Sequence, residues 1–235
     1  MLRLLGDQQN IDKILSILEA EFEGKLLIKL DNLQNVVLIP PEKHHFNNKY
    51  FKAIPFTKRQ KRIYDLMKEI IDDKKVSFAF VLSDDDSNNA LFGGWQSYQN
   101  YDVKLKCNTI VVSDALKFQE LTEGTFSATG YILHEIYETY LDQIKGISDY
   151  LKAHNKASQM QSELDGILIS PTGGHIVNEE NSGFTYHMIT NSSNERYTYK
   201  TTIESMNIVK IDKFDGWIGP KKQGGEDEII APKVG

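Results

Sequence analysis

The run Ile132-Leu133-His134-Glu135-Ile136-Tyr137-Glu138-Thr139-Tyr140-Leu141 constrains this chain more than any other stretch. Leu133, Ile136, Tyr137, Tyr140, Leu141 and Ile144 recur at helical spacing, which predicts an amphipathic helix from near Ser127 to a C-terminal cap at Gly146. His134 and Glu138 are four residues apart, so at ~100° per residue they share one stripe, one turn apart. Such a stripe is either a solvated charged face or a place where chemistry is done.

The rest of the chain reads as an α+β protein. Ile11, Ile14, Leu15, Ile17 and Leu18 fall on one helical face, and Lys25 to Leu30 and Asn35 to Ile39 read as a hairpin around Asp31-Asn32. Pro40-Pro41 ends that hairpin. A helix starts near Thr57 and carries Ile63, Leu66, Met67, Ile70 and Ile71. Val76 to Leu82 is apolar on both faces and predicts a central strand. Thr109 to Val112 predicts another, ending at Ser113-Asp114, with Asp114 as a turn residue. A second long helix is expected from about Ser148 to Asp165, closed by Gly166. Beyond Ser170-Pro171 the texture alternates, and Phe184 to Ile189, Arg196 to Ile203 and Ile208 to Ile211 read as antiparallel strands. This suggests a principal unit over 1–169 and a β-rich C-terminal extension over 170–235, its last dozen residues frayed.

Bulk properties exclude several functions. The 235-residue chain carries a formal net charge of -6, which argues against nucleic acid or an anionic membrane as the main partner. Lys58, Arg59, Lys61 and Arg62 form a basic cluster that reads as a solvated helix face. The single Cys107 rules out an intramolecular disulfide framework and a multi-cysteine zinc site. Met1 to Leu5 is too short an apolar run for a signal peptide, and no segment approaches membrane-spanning length. The chain is therefore expected in the cytoplasm of its producer, or delivered outward by a secretion system. Asp84-Asp85-Asp86 lacks the spacing of a calcium loop and reads as a solvated loop. No Gly-rich phosphate loop is present.

The chemistry concentrates at His134-Glu135-x-x-Glu138. The pattern H-E-x-x-H on a helix binds zinc through its two histidines, with the adjacent glutamate as general base. Here Glu138 stands at the second ligand position, and carboxylate oxygen also ligates zinc. Glu135 points aside from the stripe, where it could take a proton from a metal-bound water of pKa near ~7. For a third ligand the next helix offers His154, and the small Ala153, Ala157 and Ser158 around it would let the two helices approach closely. Glu163 is the rival carboxylate, about half a turn from His154 by helical phase. His175 and His187 are reserve ligands, and His44-His45 reads as a surface pair.

The motif run, followed by Ala153-His154-Asn155-Lys156-Ala157, resembles the metallopeptidase-like toxin domains at the ends of Rhs-type polymorphic toxins. It is also similar, more distantly, to type III secretion effector zinc peptidases. Leu2 to Asp7 with the following helix and hairpin, and Gly93-Gly94-Trp95 ahead of a strand, extend the resemblance over about residues 1 to 165. It implies a zincin-like fold, with a mixed sheet packed on a metal-binding helix and one exposed edge able to hold an extended peptide. It implies His134 and residue 138 as Zn2+ ligands and Glu135 as catalyst in a secreted bacterial effector or toxin. A protein or peptide would be the substrate, with a cognate immunity protein or secretion partner. Where those effector peptidases carry histidine, this chain has Glu138. The competing expectation is a catalytically inactive relative that uses the same frame to bind proteins.

Overall fold

The computed structural model describes residues 1–40, 55–83, 96–99, 104–119, 127–144, 150–170, 176–177, 183–191, 196–204, 207–215, 217–218 and 229–230. In chain order the elements are β1 (Leu2–Gly6), α1 (Gln8–Ala20), β2 (Leu27–Leu30), β3 (Val36–Ile39), α2 (Lys58–Asp72), β4 (Phe78–Ser83), β5 (Gln96–Gln99), β6 (Lys104–Val111), α3 (Val112–Gln119), α4 (Ala128–Ile144) and α5 (Tyr150–Asp165). They continue with β7 (Ile167–Ser170), β8 (Ile176–Val177), β9 (Gly183–Asn191), β10 (Arg196–Glu204), β11 (Asn207–Asp215), β12 (Trp217–Ile218) and β13 (Ile229–Ile230). The fold is α+β. His44-His45, Asp84 to Asp86, Gly93 to Trp95, Gly146 and His175 lie outside the described residues, as do the side chains of Cys107 and His187.

The first sheet runs β1-β4-β6-β5. β4 pairs in parallel with β1 and β6, while β5 is antiparallel to β6. The sheet is mixed, and β4 is central, as its two-sided apolarity predicts: Phe78, Ala79 and Phe80 are fully buried. The expected helices α1 and α2 form, each with a side-chain cap. Asp7 accepts from the Asn10 amide at the start of α1. Thr57 and Gln60 exchange side-chain-to-backbone bonds as a capping box on α2. Ile11, Ile14, Ile17 and Leu18 of α1 and Ile63, Met67 and Ile70 of α2 enter one core with Phe22, Phe78, Phe80 and Leu133.

Two expectations are corrected. Asp114 is no turn residue. β6 passes straight into α3 between Val111 and Val112, and Asp114 is wholly buried in the first turn of that helix. The β-branched run hides the junction, because Val112 reads as strand and yet begins a helix whose Val112, Ala115 and Phe118 face inward. The basic cluster on α2 is also not a uniform solvated face. Lys61 is exposed and pairs with Asp65 one turn on, but Arg59 turns inward and ties α2 to the ends of α1 and α5.

The later strands form a second sheet, β11-β10-β9-β7, all antiparallel, with β8 added to β9. Ile211 on β11 packs against the main core. Ile229 and Ile230, inside the stretch expected to fray, pair with Trp217 and Ile218.

Candidate metal centre

The centre is built on α4 and α5, which run antiparallel against each other. Three polar rungs cross between them, at Ser127, His134 and Glu138. At the first rung Ser127 caps α4, its hydroxyl accepting from the Gly130 amide at 2.9 Å. The Asp165 carboxylate accepts from both the Ser127 amide (3.1 Å) and its hydroxyl (2.6 Å). Gly130 is required here, since a Cβ at this position would stand 2.8 Å from Asp165 Oδ1. Gly166 then ends α5 with φ +66°, the left-handed backbone of a helix C-terminus. Ala153 and Ala157 of α5 are completely buried.

The second and third rungs hold the predicted residues. His134 Nδ1 is 3.0 Å from Gln161 Oε1. His134 Nε2 stands 3.2 Å from Glu138 Oε2 and 3.3 Å from His154 Nδ1. Glu138 Oε2 and His154 Nδ1 are 2.7 Å apart. His134, Glu138 and His154 thus converge as a group that could hold a metal ion. Four donors arranged tetrahedrally about zinc at 2.0–2.1 Å lie about 3.3–3.4 Å from one another. Two of the three separations already match one face of that tetrahedron. The third, at 2.7 Å, is at hydrogen-bond length and must open by about 0.6–0.7 Å to admit zinc.

Burial sharpens the electrostatics. His134 is 7% exposed and Glu135 3%, whereas the His154 side chain is 37% exposed and forms the open side of the triad. Burial disfavours the charge on Glu138, but the two imidazoles outweigh it and its pKa falls below the ordinary value. Glu135 behaves oppositely. Burial, helped by the nearby Glu138 charge, pushes its pKa up to about 8. Two carboxyl groups three residues apart on one helix are therefore driven in opposite directions, the pattern that separates a ligand from an acid–base group.

Glu163, the rival ligand, faces away and pairs with Arg62 of α2 and the Gln159 amide. Helical phase sets it about half a turn from His154, and the group that converges contains His154. Gln161 was not anticipated, although it lies seven residues beyond His154 on the same face of α5. Asn108 was also missed. From β6 its amide donates to Thr139 Oγ1 at 2.8 Å and fixes the back of α4 to the sheet.

No family model, no curated protein and no solved structure matches this chain. The site is therefore interpreted on its own geometry.

Proposed function

We propose that this chain is a zinc-dependent hydrolase of the metallopeptidase kind, with His134, Glu138 and His154 as ligands, Glu135 as general base and a peptide bond in a protein target as substrate. The observation that carries this reading is the spacing of the three donors, close to one face of a tetrahedral site, on two helices. Bound zinc supplies a Lewis acid that polarises a carbonyl and lowers the pKa of water to near ~7. Glu135 holds its proton in the metal-free chain at neutral pH. Glu135 is the carboxyl beside the centre that would take a proton from water and return it to a leaving amine, and a cation held at Glu138 would relieve the smaller, charge-based part of its raised pKa while burial continued to raise it.

In this reading the frame is zincin-like, with the mixed sheet behind α4, and residues 170–235 form a β-rich extension that closes the cleft or binds the target. The resemblance of the motif region supports an effector or toxin context, in which a cognate immunity protein or secretion partner would bind. No helix among the described residues is long and apolar enough to cross a membrane.

A second reading, a non-catalytic protein-binding module in which the triad only fastens α4 to α5, is favoured by the near-complete burial of Glu135. Elemental analysis of untagged protein decides whether the centre exists. One zinc per chain, lost in Glu138→Ala, supports it, and none after soaking in excess zinc overturns it. Zinc without hydrolysis of a mixed peptide library, identical in wild type and Glu135→Gln, selects the second reading.

A further inference from the structure

The two histidines do not face the centre with the same atom. His134 turns Nε2 toward Glu138 and His154, with Nδ1 on Gln161. His154 turns Nδ1 inward, 2.7 Å from Glu138 Oε2, with Nε2 3.5 Å from Ser158 Oγ. We propose that the centre takes its metal through unlike ring nitrogens, Nε2 of His134 and Nδ1 of His154, and that Gln161 is the positioning residue that selects the first. This assignment rests on the metal centre proposed above.

The chemistry follows from what each partner can do. A Gln side-chain carbonyl oxygen only accepts, so with Oε1 turned to the ring at 3.0 Å the contact is a hydrogen bond when His134 carries a proton on Nδ1. A neutral imidazole protonated there carries its lone pair on Nε2, aimed at Glu138 Oε2 and His154 Nδ1. Gln161 is 6% exposed and His134 7%, so water competes little for this bond. On His154 the Ser158 hydroxyl can accept from Nε2–H, leaving the Nδ1 lone pair for the centre. Gln161, Ser158 and His154 occupy spacings of three and four residues on one face of α5. One helical stripe thus supplies a ligand and the outer partners of both histidines. Lone pairs from two imidazoles and a carboxylate meeting within 2.7–3.3 Å repel one another unless a cation or a proton stands between them. Outer partners of this kind fix a ligand's tautomer and are typically worth about 10–100-fold in metal affinity.

The test uses the full chain labelled with nitrogen-15 histidine, with zinc chloride as the probe. Long-range proton–nitrogen correlation spectra should show His134 as the Nδ1–H tautomer in zinc-free protein at pH 8. On zinc addition His134 should coordinate through Nε2, and His154 through Nδ1 while keeping Nε2–H. Both histidines coordinating through Nε2 would overturn the assignment. Gln161→Leu should weaken zinc binding about 10–100-fold and abolish the Nδ1–H preference of His134, whereas Gln161→Glu, which still accepts, should restore both. Zinc affinity in Gln161→Leu within threefold of wild type overturns the positioning role and leaves the metal centre standing. Wild type that binds no zinc removes the centre and this assignment together. The wild-type spectra keep the proposal testable if Gln161→Leu does not fold.

Discussion

Two polar clusters join α4 to α5, and they are built on opposite terms. At the start of α4, the Asp165 side chain is completely buried yet surrounded by donors: the Ser127 amide and hydroxyl, and Arg59, which also reaches Glu21 and the Leu164 carbonyl. Burial still pushes the Asp165 pKa up, against the pull of Ser127 and Arg59. A turn and more along α4, the second cluster has one carboxylate facing two imidazoles and a second carboxyl buried behind it. The first cluster contains its own countercharge. The second is a set of electron-pair donors converging on one point. A buried polar cluster that balances itself holds helices together, and one that does not balance is suited to an incoming cation.

The sharpest test of that contrast is Glu135. Between pH 4.5 and about 8 the unfolded chain has released this proton while the metal-free folded chain keeps it. Its contribution to folding is therefore complete below pH 4.5 and is lost as pH rises through about 8, a fall on the order of 5 kcal/mol. Urea titrations across this range should show the fall in wild type and a much flatter profile in Glu135→Gln; equal profiles would mean that Glu135 is not buried as described. Glu138, with its lowered pKa, acts in the other direction and at lower pH. Its contribution is present above pH 4.5 and disappears as the solution is acidified further.

Breaking the balanced cluster comes next in size. Arg59→Met leaves Asp165 buried without its guanidinium and should cost about 3–5 kcal/mol in denaturant unfolding, with zinc stoichiometry of the folded protein unchanged. A variant as stable as wild type would show that the Ser127 donors suffice. For the unbalanced cluster, zinc at one hundred times its Kd should stabilise wild type by about 2.7 kcal/mol. His134→Ala should show no zinc-dependent shift in thermal melting, and a shift that persisted would move the site elsewhere. The smallest effect concerns the spacing of the helices. Ala157→Leu should cost about 1–3 kcal/mol by overpacking and also weaken zinc binding, because it separates the helices that carry the donors. A loss of stability with zinc affinity intact would uncouple the packing from the site.

The grouping of His134, Glu138 and His154 was legible because its signals are local. Four-residue spacing on a helix places His134 beside Glu138, and phase separates His154 from Glu163. The start of α2 near Thr57 and the apolar run of β4 are equally local and were readable. What stayed hidden depends on partners far along the chain. Arg59 belongs to a basic run that looks solvated, and only contacts 38 and 106 residues away draw it inward. Gln161 carries no charge and belongs to no motif, so nothing but its place on the histidine face distinguishes it. β1 is short and becomes a strand by pairing with β4. α3 was masked because its first residue continues a β-branched run. The pairing of the motif helix with the helix that carries His154 was legible, while the turn that brings Nδ1 of His154 inward could be seen only in three dimensions.

The antiparallel register of α4 and α5 also has a kinetic side. The donors of the triad are separated by at most 20 residues, whereas the Arg59–Asp165 tie spans 106. Contacts close in sequence form early, because little loop entropy is lost in making them. The helical hairpin can therefore gather its three donors before α2 docks, and on the proposed zinc reading a metal ion present during folding would bind a half-built protein and hold the hairpin in register while the long-range clamp closes over its end.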